Sequence, residues 1–553
     1  MPKIIINGVE NEAGRGESYL SLARKFDRGR ANPAVLAKVN NEIYELRLSP
    51  AEDCEVEFLD ITDPNGFRAY QRSLSFLMIY AAREVLGRDT KVVIEHSINK
   101  NYYCRIEPGG GEKPLTENDL EKIERKMRET AEADVDIEKV SFPINEAFAL
   151  AKELNLPDKE KILNYRRTSY INFYKLDWFM NYFYGPMVPS CGYLKNFGLV
   201  YKHPGCILQF PSPAGGGALS ELIPKQKIYE VFREALDWNR ILHVDTVFAL
   251  NGVISDGGLG NIIRISEALH EKKIAEIADL ISRGDKKIVL VAGPSSSGKT
   301  TFAERLCVQL RVNGLMPHII SLDDYFKAGE FAPTDEYGNP DYEAFEYMDR
   351  EKLNADLESL LKGETIHMPN FNFITGQPEY KGRYLRLEPS DVLVLEGIHG
   401  LNEKLTEGVP RDKKFKIFIS ALTQLNIDDH NRLATTDNRL IRRLVRDYRT
   451  RGMTAAGTIG MWPSVLRGEI KHIFPFQDEA DALFNSSLVY EMCIIKQFVE
   501  PLLFKIDKTR PEYTEARRLV KFLDSFLGAD SREVPTNSIL REFIGGSCFL
   551  KYV

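Results

Sequence analysis

Eight consecutive residues, Gly293-Pro294-Ser295-Ser296-Ser297-Gly298-Lys299-Thr300, have the spacing G-x-x-x-x-G-K-[ST]. Glycines at both ends let a backbone curl so that successive N–H groups point inward at an anion, and a helix beginning at the second glycine adds its partial positive charge. Lys299 would reach the outer phosphates of a nucleoside triphosphate, and the Thr300 hydroxyl would help hold Mg²⁺. The flanks suit this chemistry. The apolar run 287–292 reads as a buried strand, and Thr301 opens a helical pattern.

Phosphoryl transfer also needs carboxylates across the crevice and cations over the phosphates. Ser321-Leu322-Asp323-Asp324-Tyr325-Phe326 follows a predicted strand, and an acid at the C-terminal end of a parallel strand faces the ligand crevice. Asp323 is the candidate to take the proton of an attacking hydroxyl and to help order Mg²⁺. A second apolar strand, 392–395, ends in Glu396-Gly397, the pattern of a magnesium-attending acid. Arg439, Arg442, Arg443 and Arg446 share one helix face through i, i+3, i+4 and i+7 spacing, and guanidinium forks clamp phosphate oxygens. They read as a closing lid.

These groups require a twisted parallel sheet with helices on both faces. From about residue 285 strands and helices do alternate, with strands expected at 288–292, 318–322, 392–395 and 415–419. Upstream the pattern differs. Residues 1–62 read as a small β-rich unit of the ubiquitin-like β-grasp type. Residues 63–240 read as mixed α+β, with a helix over 70–86, paired strands at 90–95 and 101–107, and a charged helix capped by Thr116. Residues 241–284 connect the halves and end in a helix over 262–283. The last segment, 491–553, reads as helical.

Composition narrows the class. The chain has 553 residues, 43% hydrophobic and 28% charged, as in ordinary globular domains. Lys plus Arg is 73 and Asp plus Glu is 80, giving a net charge of −7, which supplies no global drive toward nucleic acid or anionic membranes. The seven cysteines are scattered without a C-x-x-C pair, which suits reduced thiols. No signal-peptide pattern opens the chain, and no apolar run approaches membrane-spanning length, so a cytoplasmic location is expected. Lone histidines such as His96 and His203 read as packed or surface residues. The glycine-rich stretches 214–218 and 256–260 read as loops.

With the motifs in this order, residues of roughly 285–490 resemble the uridine kinase and phosphoribulokinase group of P-loop kinases. The resemblance rests on residues 293–301, 321–326, 360–363 leading into 368–373, 395–398 and 442–452. It implies ATP and Mg²⁺ as cofactors, Asp323 as general base, and Thr300 and Glu396 at the metal. It implies catalytic roles for Lys299, Arg442 and Arg446, and nucleotide contacts from residues 293–301 and Arg443. Tyr325, Asp341 and Phe371 are the implied acceptor-side residues. The segment after the pocket proline departs from the family. Its base-contacting tyrosine and histidine fall on Phe371 and Gly376, which weakens uridine specificity more than it weakens kinase chemistry.

The first 240 residues resemble the TGS and editing domains of threonyl-tRNA synthetase, through residues 63–66, 99–104 and 115–127. That editing domain holds a metal with His-x-x-x-His on a helix and a later Cys-x-x-x-His. Here the corresponding stretches run from Arg72 to Phe76 and from Phe183 to Met187, with no imidazole or thiolate at the four positions. Editing hydrolysis is therefore not expected.

The expected fold is multidomain, α+β and α/β: a β-grasp unit, a mixed middle domain, and a C-terminal P-loop kinase with a parallel sheet flanked by helices. The expected activity is ATP-dependent phosphorylation of a hydroxyl on a small molecule, foremost a nucleoside. The alternatives are a sugar or sugar-phosphate kinase, and an RNA- or ribosome-associated ATP-dependent regulator that touches RNA through its N-terminal half. A homo-oligomer is compatible with the sequence.

Overall fold

The computed structural model describes residues 2–550 except 28, 99, 112, 214–216, 223–225, 337, 339, 373–374 and 424. Most of the glycine-rich stretch 214–218, and two residues of the segment that follows the pocket proline, lie outside the described residues.

Alternating burial along Lys3–Ile6 and Cys54–Leu59 sends every second side chain into one small core, as a half-buried strand requires. These two strands pair in parallel at the middle of a five-stranded sheet crossed by the helix Tyr19–Phe26, a β-grasp arrangement. Asp63 caps the next helix, Pro64–Leu86, accepting from the Asn65 and Gly66 amides, with Pro64 in the first turn where its missing N–H is harmless. That helix is buried almost all round. It packs against a four-stranded antiparallel sheet and the helix Glu117–Glu132, which starts on a reciprocal capping box between Thr116 and Asp119. A three-stranded sheet and two short helices complete this half.

The C-terminal half is built on five parallel strands in the order Met316–Ser321, Asp391–Glu396, Ile288–Ala292, Lys414–Ser420, Ala482–Asn485. Ile288–Ala292 is buried throughout, as an apolar central strand covered on both faces must be. Ala482–Asn485 is an edge strand that apolar runs do not announce, because three of its four residues are half-exposed.

The last segment departs from the helical expectation. Helices Glu491–Phe504 and Tyr513–Leu523 form, but residues 524–540 do not continue the pattern: turns at Ser531 and Pro535 close backbone hydrogen bonds to Val534 and Ser538. A single helical turn, Arg541–Ile544, follows and is driven into the core by Phe543 and Ile544.

The halves are bolted together by buried polar contacts. Lys159 Nζ lies 2.5 Å from Asp428 Oδ1 and 3.1 Å from Asp158 Oδ2. Asp158, Asp428 and His430 are the one group among the described residues close enough to share a metal, and the lysine ammonium already occupies the cation's place. Asn426 Nδ2 donates to the Ile94 carbonyl at 2.8 Å, extending the same seam.

Candidate active site

The loop after Ile288–Ala292 turns through two left-handed residues, Ser296 at φ 60° and Gly298 at φ 83°, and runs into the helix Lys299–Val312. Gly298 is required twice over. A side chain is disfavoured at that φ, and a Cβ there would lie 2.5 Å from Ile539 Cγ2. Inside the loop the Ser296 and Ser297 hydroxyls are buried with no hydrogen-bond partner. Buried hydroxyls that the protein leaves unpartnered, in a glycine-bounded loop at a helix start, fit an anion-binding cradle. Lys299 Nζ rests on the Pro294 carbonyl at 3.3 Å and makes no ion pair among the described residues.

Across the crevice the acids are in surplus. Glu396 ends its strand with Ser321 Oγ donating to it at 3.3 Å. Burial pushes its carboxyl up to about 7; Lys299 pulls down, while Asp323 and Glu542 push up. Asp323 is raised by burial against the opposing pull of Lys299 and Arg451. Glu343, which no motif marks, is also pushed up to about 7 by burial, with Arg443, Glu469, Asp323 and Lys299 around it. The neighbouring cations do not offset burial at these carboxyls, and a divalent ion would add the missing charge. Thr300, Asp323 and Glu396 are thus chemically fit to hold Mg²⁺.

The arginine helix, Thr435–Thr450, lies against the loop rather than above it as a free lid. Arg439 Nη1 donates to the Ser295 carbonyl at 3.2 Å and its fork grips Glu469, which in turn accepts from the Ser295 amide at 3.0 Å. Arg443 Nη1 donates to Ser295 Oγ at 2.8 Å. Arg442 corrects the expectation of a catalytic role. It is fully buried, pairs with Glu491 through both Nε and Nη2, and spends its remaining donors on Ser486 and the Ser296 carbonyl. It braces the loop. Arg446 is less enclosed and is held by Asp447, which also gathers Arg443 and Arg451. Asp447 is the fully buried hub of this cluster.

On the acceptor side Tyr325 is likewise corrected. Its buried hydroxyl donates to Asp356 at 3.0 Å and faces the core instead of a substrate. Asp324, its neighbour, accepts from the Phe371 amide and Asn370 Nδ2, both at 3.1 Å, and so fixes the strand Asn370–Asn372. Phe371 then packs edge-on to Phe326 at 5.7 Å, making an apolar wall. Asp341 holds the turn before Glu343, accepting from its amide at 3.1 Å, and stands 4.0 Å from His472 Nε2.

Residues 288–491 match the Phosphoribulokinase / Uridine kinase family. The kinase-family segment thus covers the phosphate loop, both predicted acids and the arginine helix. The N-terminal region matches threonyl-tRNA synthetases. "Threonine--tRNA ligase" of Acetivibrio thermocellus is 30% identical over 195 residues, covering 35% of this chain and 30% of that one. The Fusobacterium nucleatum protein of the same name is 32% identical over 180 residues, 32% of this chain and 28% of its own. The chain therefore spans under a third of these ligases' length. A solved structure described as a possible uridine kinase from Bacillus stearothermophilus is 19% identical, covering 38% of this chain and all of that one at a TM-score of 0.25, which adds nothing to the family match.

Sequence reasoning missed four carboxylates at this site. Glu469 and Glu542 bind loop amides; the Thr301 amide and hydroxyl donate to Glu542 Oε2 at 3.1 and 2.9 Å. Glu343 and Glu491 complete the set. None sits in a motif. Each comes from an element distant in sequence, so no local spacing could have found them.

Proposed function

We propose that this protein is an ATP-dependent phosphotransferase that moves the γ-phosphate of ATP to a hydroxyl of a small molecule, with a nucleoside 5′-hydroxyl as the acceptor. The observation that carries the reading is the pairing of an unsatisfied loop with unsatisfied acids: buried Ser296 and Ser297 hydroxyls on one side, and raised Asp323 and Glu396 carboxyls on the other.

In this reading the loop amides and Lys299 receive the phosphates, and Arg443 and Arg446 offset charge as transfer proceeds. Mg²⁺, when bound, supplies charge neutralisation and alignment of the phosphate oxygens; Thr300, Asp323 and Glu396 are the residues to hold it. Asp323 takes the hydroxyl proton, and Phe371 and Phe326 shield the acceptor from water. Holding donor and acceptor together provides most of the rate enhancement in this chemistry.

The test is ADP release by the full chain with Mg-ATP against a panel of nucleosides, sugars and sugar phosphates. Stimulation by nucleosides supports the reading. Stimulation by a sugar or sugar phosphate alone moves the acceptor class. Stimulation by RNA with no small-molecule acceptor replaces the reading with an RNA-linked switch, the role toward which the ligase-like half leans.

A further inference from the structure

A cavity of about 1490 Å³ lies away from the phosphate loop, between the ligase-like half and the kinase-family segment. Its charge is unbalanced. Arg72 extends from the middle of the helix Pro64–Leu86, among Tyr102, Tyr174 and Tyr184, and its one hydrogen bond among the described residues is to the Pro186 carbonyl. Arg432 lies 5.6 Å from the Tyr102 ring centre and has the Tyr102 side chain as a hydrogen-bonding neighbour, while its Nε is buried without a partner. Lys521 Nζ stands 5.2 Å from the Tyr184 ring centre.

No carboxylate among the described residues lies within 4.0 Å of any of these three cations. The acids that act on them from a distance are engaged elsewhere. Asp437 takes both Arg518 Nη groups, at 2.8 and 2.7 Å. Glu45 accepts from the Tyr174 hydroxyl and pairs with Lys139 at 3.3 Å. Glu42, Glu221, Asp478 and Asp524 also line the cavity and form no ion pair with the three cations.

An enclosed cation without a counter-charge is costly, and proteins keep such groups where something else completes them. The cost is visible. Burial holds Arg72 and Arg432 below their ordinary range, while Lys521 is the exposed cation at the cavity's rim. Two guanidinium forks and an ammonium match the oxygens of a dianionic phosphate. Tyr102, Phe183 and Tyr184 line the same wall, aromatic surface beside which a planar ring can pack. The arginine helix begins on the same wall after Ala434, which gives no side-chain cap, and the Asp437 amide closes onto the Ala434 carbonyl at 3.0 Å.

We propose that this cavity binds a small phosphate monoester bearing a planar ring, a nucleoside monophosphate, through Arg72, Arg432 and Lys521. The site is separate from the one around Lys299 and does not depend on the proposed activity. Its occupant would touch the first turn of the helix whose Arg439 and Arg443 hold Ser295, so binding there is coupled to the geometry of the phosphate loop.

The test uses the full chain carrying Lys299→Ala, titrated calorimetrically with UMP, AMP and inorganic phosphate at low salt. The expected result is saturable nucleotide binding that Arg72→Met and Lys521→Met each weaken at least tenfold, with phosphate alone binding more weakly. In the chain with Lys299 intact, neither variant lowers ADP release measured without monophosphate. Both variants are checked by thermal melting; should Arg72→Met fail to fold, Lys521→Met, on the water-exposed side of the cavity, decides alone. Binding indifferent to both substitutions, or absent up to millimolar nucleotide, overturns the proposal. Phosphate binding as tightly as UMP overturns its nucleoside part. Binding of an RNA acceptor stem, lost with Lys521→Met, without binding of the mononucleotides overturns the small-molecule class.

Discussion

Two regions of this molecule resemble sites that hold charged groups, and they have gone opposite ways. Around Lys299 the polar groups remain unsatisfied: buried serine hydroxyls without partners, and carboxyls held high by burial. In the ligase-like half, three of the four positions where the resemblance places metal ligands carry packed apolar side chains, and the fourth, Arg72, lines the cavity beside them. Phe76 meets Phe183 at 5.4 Å and Phe179 at 5.0 Å, Met187 is buried among them, and Arg72 turns away to the Pro186 carbonyl. A site suited to charged ligands keeps buried polar groups that the protein itself does not satisfy. A site whose chemistry has been replaced fills with rings and thioethers and becomes core.

Four measurements press on that contrast. The largest effect belongs to Asp323→Asn, expected to cut turnover by ~10²–10⁴-fold while leaving ATP affinity in place; an unchanged rate of ADP release removes Asp323 from the reacting centre. Next is Phe76→Ala, which should cost about 3–5 kcal/mol by denaturant unfolding, the penalty of a cavity in a filled core. A loss well under that range would show the former metal position to be slack. Glu542→Gln keeps a hydrogen-bond acceptor beside Thr301 and removes its charge. Nucleotide binding should tighten severalfold, on the order of 1 kcal/mol, by calorimetry; weaker binding would make Glu542 a brace instead of a competitor.

The smallest effect is on the pH profile of the metal-free protein. Burial raises Glu396 and Glu343 from an ordinary 4.5 to about 7, so the unfolded chain gives up these protons first. Their contribution to stability is complete below the unfolded value and is lost as pH rises through the folded one. The melting temperature should fall between pH 5 and pH 7.5, the interval about those values, and Mg²⁺ should raise it most at the upper end. A profile in which Mg²⁺ acts equally at both ends would mean that these acids do not face the metal.

Local signals made part of this legible. The phosphate loop, Asp323, Glu396, the Thr116 cap and four of the five parallel strands follow from spacing or from apolar runs bounded by turns. Partners brought together by the fold were not legible. Tyr325 and Arg442 carry the right chemistry at the right positions, but Asp356 and Glu491 claim them, and nothing in the neighbouring sequence says so. The strand Ala482–Asn485 escaped because an edge strand needs no continuous apolar run. Residues 524–540 fall in the segment read as helical, yet the chain there turns to bring Ile539 and, just beyond, Glu542 against the loop.

That last approach governs what can enter. The amides of Ser295 and Thr301 already face Glu469 and Glu542, with Glu396 and Asp323 close by. On the proposed function, a bare polyphosphate arriving there would meet these acids as well as Lys299 and Arg443. A nucleotide already wrapped around its magnesium would come in with much of its charge cancelled. The doorway would then favour chelated over unchelated nucleotide before any bond is made or broken.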